Sequence, residues 1–111
     1  MSQIETEQRE DFRVVAVSGE VDLSNSPRLR EAILKELDGS SPVLVDLAGV
    51  SSIDSAGIAA LVEGYQTAKQ KSLGFALLSV SEAVFSVLQL ARLERVIPLA
   101  DDLEGARERI V

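Results

Sequence analysis

The chain has no cysteine, no histidine and no tryptophan, and its 111 residues include only one tyrosine and three phenylalanines. Without cysteine there is no disulfide, thiolate zinc site or thiol nucleophile. Without histidine the commonest general base and metal ligand is missing. No metal or cofactor site is therefore expected. Long apolar runs are also missing. The longest unbroken ones last about four or five residues, against the roughly 18 that a bilayer span needs, so direct membrane insertion is not expected. Met1-Ser2-Gln3-Ile4-Glu5 has neither a basic start nor an apolar segment, which predicts no secretory signal and a cytoplasmic location. Cations are scarce too: 11 Lys and Arg face 18 Asp and Glu, for a net charge of -7. That charge opposes approach to a nucleic-acid backbone or an anionic lipid surface. The expected partner is a protein with a basic face.

What is present is an aliphatic, globular composition, 46% hydrophobic and 26% charged, and a length suited to one domain spanning residues 1–111. Ile4 to Gln8 and Phe12 to Ser18 read as two strands joined by a turn within Glu7 to Asp11. Glu20-Val21-Asp22-Leu23 reads as a short extended piece. Ser24-Asn25-Ser26-Pro27 combines capping residues with a first-turn proline, and Leu29, Ile33 and Leu37 then carry a helix from Pro27 to Leu37. Val43 to Leu47 is a β-branched run between Pro42 and Gly49, the pattern of a strand buried on both faces. Ile58, Leu61, Val62, Tyr65 and Ala68 follow helical spacing, so a second helix is expected from Asp54 or Ser55 to about Lys71. Phe75 to Val80 reads as a strand. Ser81-Glu82 opens a third helix with Val84, Phe85, Leu88 and Ala91 facing the core. Val96 to Leu99 reads as a last strand, and Asp101-Asp102 opens a final helix with Leu103, Ala106 and Ile110 inward. Alternating strands and helices predict an α/β fold with a mixed, mostly parallel sheet of about five strands and about four helices. Sites in such sheets gather in the loops after the strand ends, here Ser18 to Ser26, Ala48 to Ala56 and the turn near Val80-Ser81.

The segment Ile53-Asp54-Ser55-Ala56-Gly57 admits two readings. In the first, Asp54 and Ser55 satisfy free N–H groups at a helix start, and Gly57 permits tight packing. In the second, the Ser55 hydroxyl accepts a phosphoryl group where the helix dipole tolerates negative charge. Ala56 and Gly57 then leave room for another protein's active site. Asp22 and Asp46 likewise read either as turn chemistry or as functional carboxylates.

Asp54-Ser55-Ala56-Gly57, preceded by Val43-Leu44-Val45-Asp46-Leu47 and followed by an apolar helix, resembles the signature of STAS domains. Ser18-Gly19-Glu20-Val21-Asp22-Leu23 resembles the "Gly-Glu-Leu-Asp" segment of that family, and the order of elements agrees over nearly the whole chain. The resemblance to bacterial anti-sigma factor antagonists implies that Ser55 is phosphorylated by a partner that is both anti-sigma factor and serine kinase. It implies that the unphosphorylated form captures this partner and frees a sigma factor, and that a serine phosphatase resets the switch. Asp22 and Ser24 would lie in a partner-facing loop, Asp54 would position the acceptor, and Asp54, Ser55, Ala56, Gly57 and Ile58 would share the partner surface, with Ile58 or Ala59 exposed. Many members carry a second serine where this chain has Ala56.

A catalytic Ser55 needs an activating base, yet there is no histidine, and Lys35, Lys69 and Lys71 all fall outside the loop. No Gly-x-x-x-x-Gly-Lys-Ser/Thr loop or dinucleotide fingerprint occurs. Asp46 at a strand end invites comparison with a response-regulator phosphoacceptor, but the acidic pair and late lysine of that fold are missing. No catalytic residue is assigned and no enzyme is expected. The rival binding role is a cytosolic STAS subunit of a lipid-transport ABC complex, which would contact the ATPase subunit.

Overall fold

The computed structural model describes residues 2–110. Strands β1 (Ser2–Arg9), β2 (Phe12–Val21), β3 (Val43–Ile53), β4 (Phe75–Leu78) and β5 (Leu99–Ala100) form one sheet in the order β1-β2-β3-β4-β5. The β1–β2 hairpin is antiparallel and the other pairs are parallel. Helices α1 (Ser26–Glu36), α2 (Ser55–Gln70), α3 (Glu82–Leu90) and α4 (Leu103–Arg109) link or follow the strands. The expected α/β architecture is present.

Side chains alternate across the pleat, and the core divides accordingly. Val15, Val17, Val43, Val45 and Leu47 meet Leu29 and Ile33 of α1, Leu61 and Ala68 of α2, and Val84 and Leu88 of α3 on one face. Phe12, Val14, Leu44, Ala76, Leu78 and Ala100 point the other way, where Ala106 of α4 packs on them. Burying each large aliphatic side chain stabilises the fold by about 1.5–3 kcal/mol. The doubly buried run Val43-Leu44-Val45 explains why the middle of the sheet reads as a continuous apolar stretch.

Several boundaries differ from the expected ones. The hairpin turn is confined to Glu10-Asp11, with Glu10 at φ 55°. β2 runs unbroken to Val21, through Gly19 at φ 87° and two register shifts against β3, so it takes in Glu20 and Val21 of the expected extended piece, whereas Asp22 and Leu23 fall in the turn after it. β3 continues past Leu47 to Ile53, so most of the expected loop from Ala48 is strand. Gly49 permits this, because a Cβ there would lie 2.9 Å from Cβ of Ser18. The last strand is Leu99–Ala100 rather than Val96 to Leu99. Phe85 and Ala91, expected to face the core, are exposed, since Val84 and Leu88 alone bury the face of this short helix.

Candidate functional site

The carboxyl ends of β2 and β3 define the site. Their last paired residues are Val21 and Ile53, and the Asp54 N–H extends the ladder by donating to the Val21 carbonyl at 3.1 Å. The turn after β2 and the start of α2 are therefore held side by side, as the sequence predicted for the two loops.

Asp54 is the N-cap of α2: in extended backbone, its Oδ1 accepts from the N–H of Ala56 at 3.0 Å and of Gly57 at 3.1 Å. Two of the free donors at the helix start are satisfied by this one carboxylate. Ser55 is the first helical residue and is exposed, and the capping is left to its neighbour. Ala56 is half-buried. Gly57 is buried, and a Cβ there would meet Cγ1 of Ile53 at 2.6 Å and Cγ1 of Val21 at 2.8 Å. Of the two readings of this glycine, close packing of α2 against the β2–β3 ladder is the one the structure supports. Ile58 is only 7% exposed and belongs to the core, which corrects its expected place on an exposed contact surface. Its neighbour Ala59 is exposed.

The turn after β2 is closed by its own polar groups. Asp22 Oδ1 accepts from the Ser24 N–H at 2.9 Å and from the Ser24 hydroxyl at 2.5 Å. These bonds to Ser24 hold the Asp22 carboxyl below the usual aspartate range. Asn25 does not cap α1 with its side chain. Its Oδ1 accepts from the Asp22 N–H at 2.9 Å, and its Nδ2 donates to the Glu20 carbonyl at 2.8 Å. The Asp22 carbonyl accepts from the N–H of Asn25 at 3.1 Å and of Ser26 at 2.8 Å. At the top of this turn Leu23 is 75% exposed. Sequence reading passed over Leu23, although an apolar residue between Asp22 and Ser24 in a polar turn was visible as a departure from local pattern.

The third candidate loop is tied to the same region: the Ser81 hydroxyl donates to the Val50 carbonyl at 2.8 Å and accepts from the Val84 N–H at 3.4 Å. Asp46 stands apart. Inside β3, it accepts from the Ala48 N–H at 3.1 Å and from Arg9 Nη1 at 3.2 Å, which joins β1 to β3 and leaves it as strand and ion-pair chemistry. Among the described residues no group of three or more His, Cys, Asp or Glu could hold a metal ion, and no helix is long and apolar enough to cross a membrane.

The fold and site define an α/β domain whose strand ends present an acidic turn, a capped helix start and an exposed serine side by side. Comparison with known proteins makes this specific. The family model of the STAS domain matches residues 3–106. The anti-sigma-B factor antagonist of Staphylococcus epidermidis is 30% identical over 102 residues, covering 91% of this chain and 94% of that protein. An anti-sigma factor antagonist from Mycobacterium paratuberculosis superposes with a TM-score of 0.82 at 27% identity, over 99% of this chain and 94% of the other. A Thermotoga maritima structure gives a TM-score of 0.85 at 25% identity, over 96% and 93% of the two chains. The chain belongs to the STAS family, within its group of anti-sigma factor antagonists. Its general role is that of a regulatory module that exchanges protein partners.

Proposed function

We propose that this protein is a cytoplasmic anti-sigma factor antagonist whose unphosphorylated form captures an anti-sigma factor that is also a serine kinase, so that a sigma factor is released. Phosphorylation of Ser55 ends the capture, and a serine phosphatase restores it. The observation that carries this reading is the division of labour at the start of α2, where Asp54 caps the helix and Ser55 stands exposed at its first position. A hydroxyl with no part in the cap can be modified without opening the helix. The added phosphate brings about -1.5 to -2 of charge next to the Asp54 carboxylate. The N–H groups of Ala56 and Gly57 already bond Asp54, so this charge is turned outward to whatever docks there. Docking over the phosphate would strip its hydration and bury it beside Asp54, a cost that opposes capture, and each 1.4 kcal/mol is tenfold in affinity. The names of its curated relatives favour the sigma-regulatory role over a subunit of a lipid-transport ABC complex.

Incubation with the cognate kinase and ATP is expected to place one phosphate on Ser55, and Ser55→Ala is expected to abolish it. Because Ser55 is exposed and outside the cap, that substitution should change stability by no more than about 0.5 kcal/mol. Peptide mass spectrometry decides the matter: phosphate on Ser51 or Ser52, both exposed in β3, would overturn the assignment.

A further inference from the structure

Among the described residues four large apolar side chains stand out from the surface: Leu23 at 75%, Phe85 at 36%, Leu90 at 85% and Val96 at 49% exposure. Three belong to α3 and the segment after it, whereas Leu23 lies at the same end of the sheet as Ser55. Each of these two residues lies two positions beyond the final rung of the β2–β3 ladder, Val21 paired with Ile53. We infer that Leu23 is the apolar anchor by which the proposed anti-sigma factor partner is seated, an inference that rests on the function proposed above.

The leucine is displayed on fixed backbone. Side chains of Asp22 and Asn25 bond the turn from within, and Asn25 ties it back to Glu20. A turn whose backbone is already held in place loses less freedom on binding, so more of the leucine's burial appears as affinity. Its surroundings select the partner's chemistry. No Lys or Arg occurs between Arg13 and Arg28 or between Lys35 and Lys69. The two segments that meet here therefore carry the carboxylates of Glu20, Asp22 and Asp54 and no cation of their own, the nearest in sequence being Arg28 in the first turn of α1. An apolar centre within a charged rim is the usual layout of a protein-binding hot spot, and this rim calls for a basic face around an apolar pocket. A second copy of the chain does not fit, because the same acidic rim would oppose itself. Phosphate on Ser55 would stand at the same end of the sheet as this anchor, where docking over it would have to strip the phosphate of its hydration.

The test measures calorimetric affinity for the kinase that phosphorylates Ser55, using wild type, Leu23→Ala and Leu23→Met. Leu23→Ala is expected to weaken binding by about tenfold or more with an unchanged melting temperature, since the side chain is mostly solvated, and Leu23→Met to stay within about threefold of wild type. The chain has no tryptophan, so Leu23→Trp supplies a reporter at the anchor itself. Its emission, after subtraction of the same titration with wild type, is expected to shift to the blue on binding. Wild-type affinity for Leu23→Ala together with an unshifted emission would overturn the anchor while leaving phosphorylation of Ser55 intact. Failure of the wild-type protein both to bind the kinase and to be phosphorylated would overturn the proposed function and the anchor with it.

Discussion

A methyl group on residue 57 would have to displace Val21 and Ile53, the two residues that close the β2–β3 ladder. Both are β-branched and buried, and neither can swing into solvent. Crowding of this kind costs about 1–3 kcal/mol, and the better helix propensity of alanine returns up to about 1 kcal/mol. Gly57→Ala is therefore expected to lower stability by about 1–2 kcal/mol, read as a lower urea midpoint at unchanged slope; an unchanged midpoint would show that the ladder yields freely. The sequence placed the start of α2 and the Asp-Ser pair correctly because caps are written locally. The inward turn of Ile58 was also legible, since Ile58 opens the apolar stripe that continues through Leu61 and Ala68, and its expected exposure at the contact surface ran against that spacing.

At the level of elements, α4 depends on contacts from far along the chain. Arg107 donates to Glu10 at 2.8 Å and Asp11 at 2.7 Å, and its guanidinium stacks over Phe12 at 5.2 Å from the ring centroid. The Arg107 hydrogen bond holds the Asp11 carboxyl below its ordinary value. A carboxylate with a depressed folded-state pKa contributes stability above its unfolded value, and that contribution is lost as pH falls through the folded one. Arg107→Ala is accordingly expected to melt below wild type at neutral pH, with the gap narrowing once acid protonates Asp11. Parallel melting curves at pH 7 and pH 3 check this, and a gap that stays constant would assign the whole effect to packing on Phe12. α4 was legible from its Asp101-Asp102 start and its apolar spacing. The outer half of β3 was not, because Ala48-Gly49 reads locally as a stop, and only pairing with β2 across the register shifts at Ala16/Ser18 and Gly19/Glu20 keeps it extended. Tertiary contact overrode local propensity there. The same holds for the last strand, which pairs only at Leu99 and Ala100.

The whole molecule carries -7, and the face around Ser55 has no cation of its own in the two segments that form it. Long-range attraction of a basic partner is screened over about 10 Å at 0.1 M salt, and such steering acts mainly on the rate of encounter. Raising salt from about 0.05 to about 0.5 M should therefore slow association with the kinase several-fold and leave dissociation nearly unchanged. Stopped-flow or surface-binding kinetics separate the two rates, and a salt effect confined to dissociation would contradict the acidic rim.

The order of the sheet, in which each strand lies beside its predecessor in the chain, bears on how the molecule is assembled. No strand has to enter between two that are already paired. The β1–β2 hairpin closes over a two-residue turn, and each later strand then finds a finished edge waiting for it. Growth from one side keeps every loop closure between neighbours in the chain, where its entropic cost is least. A chain emerging from its amino terminus can thus lay down the sheet in the order of synthesis without undoing any pair.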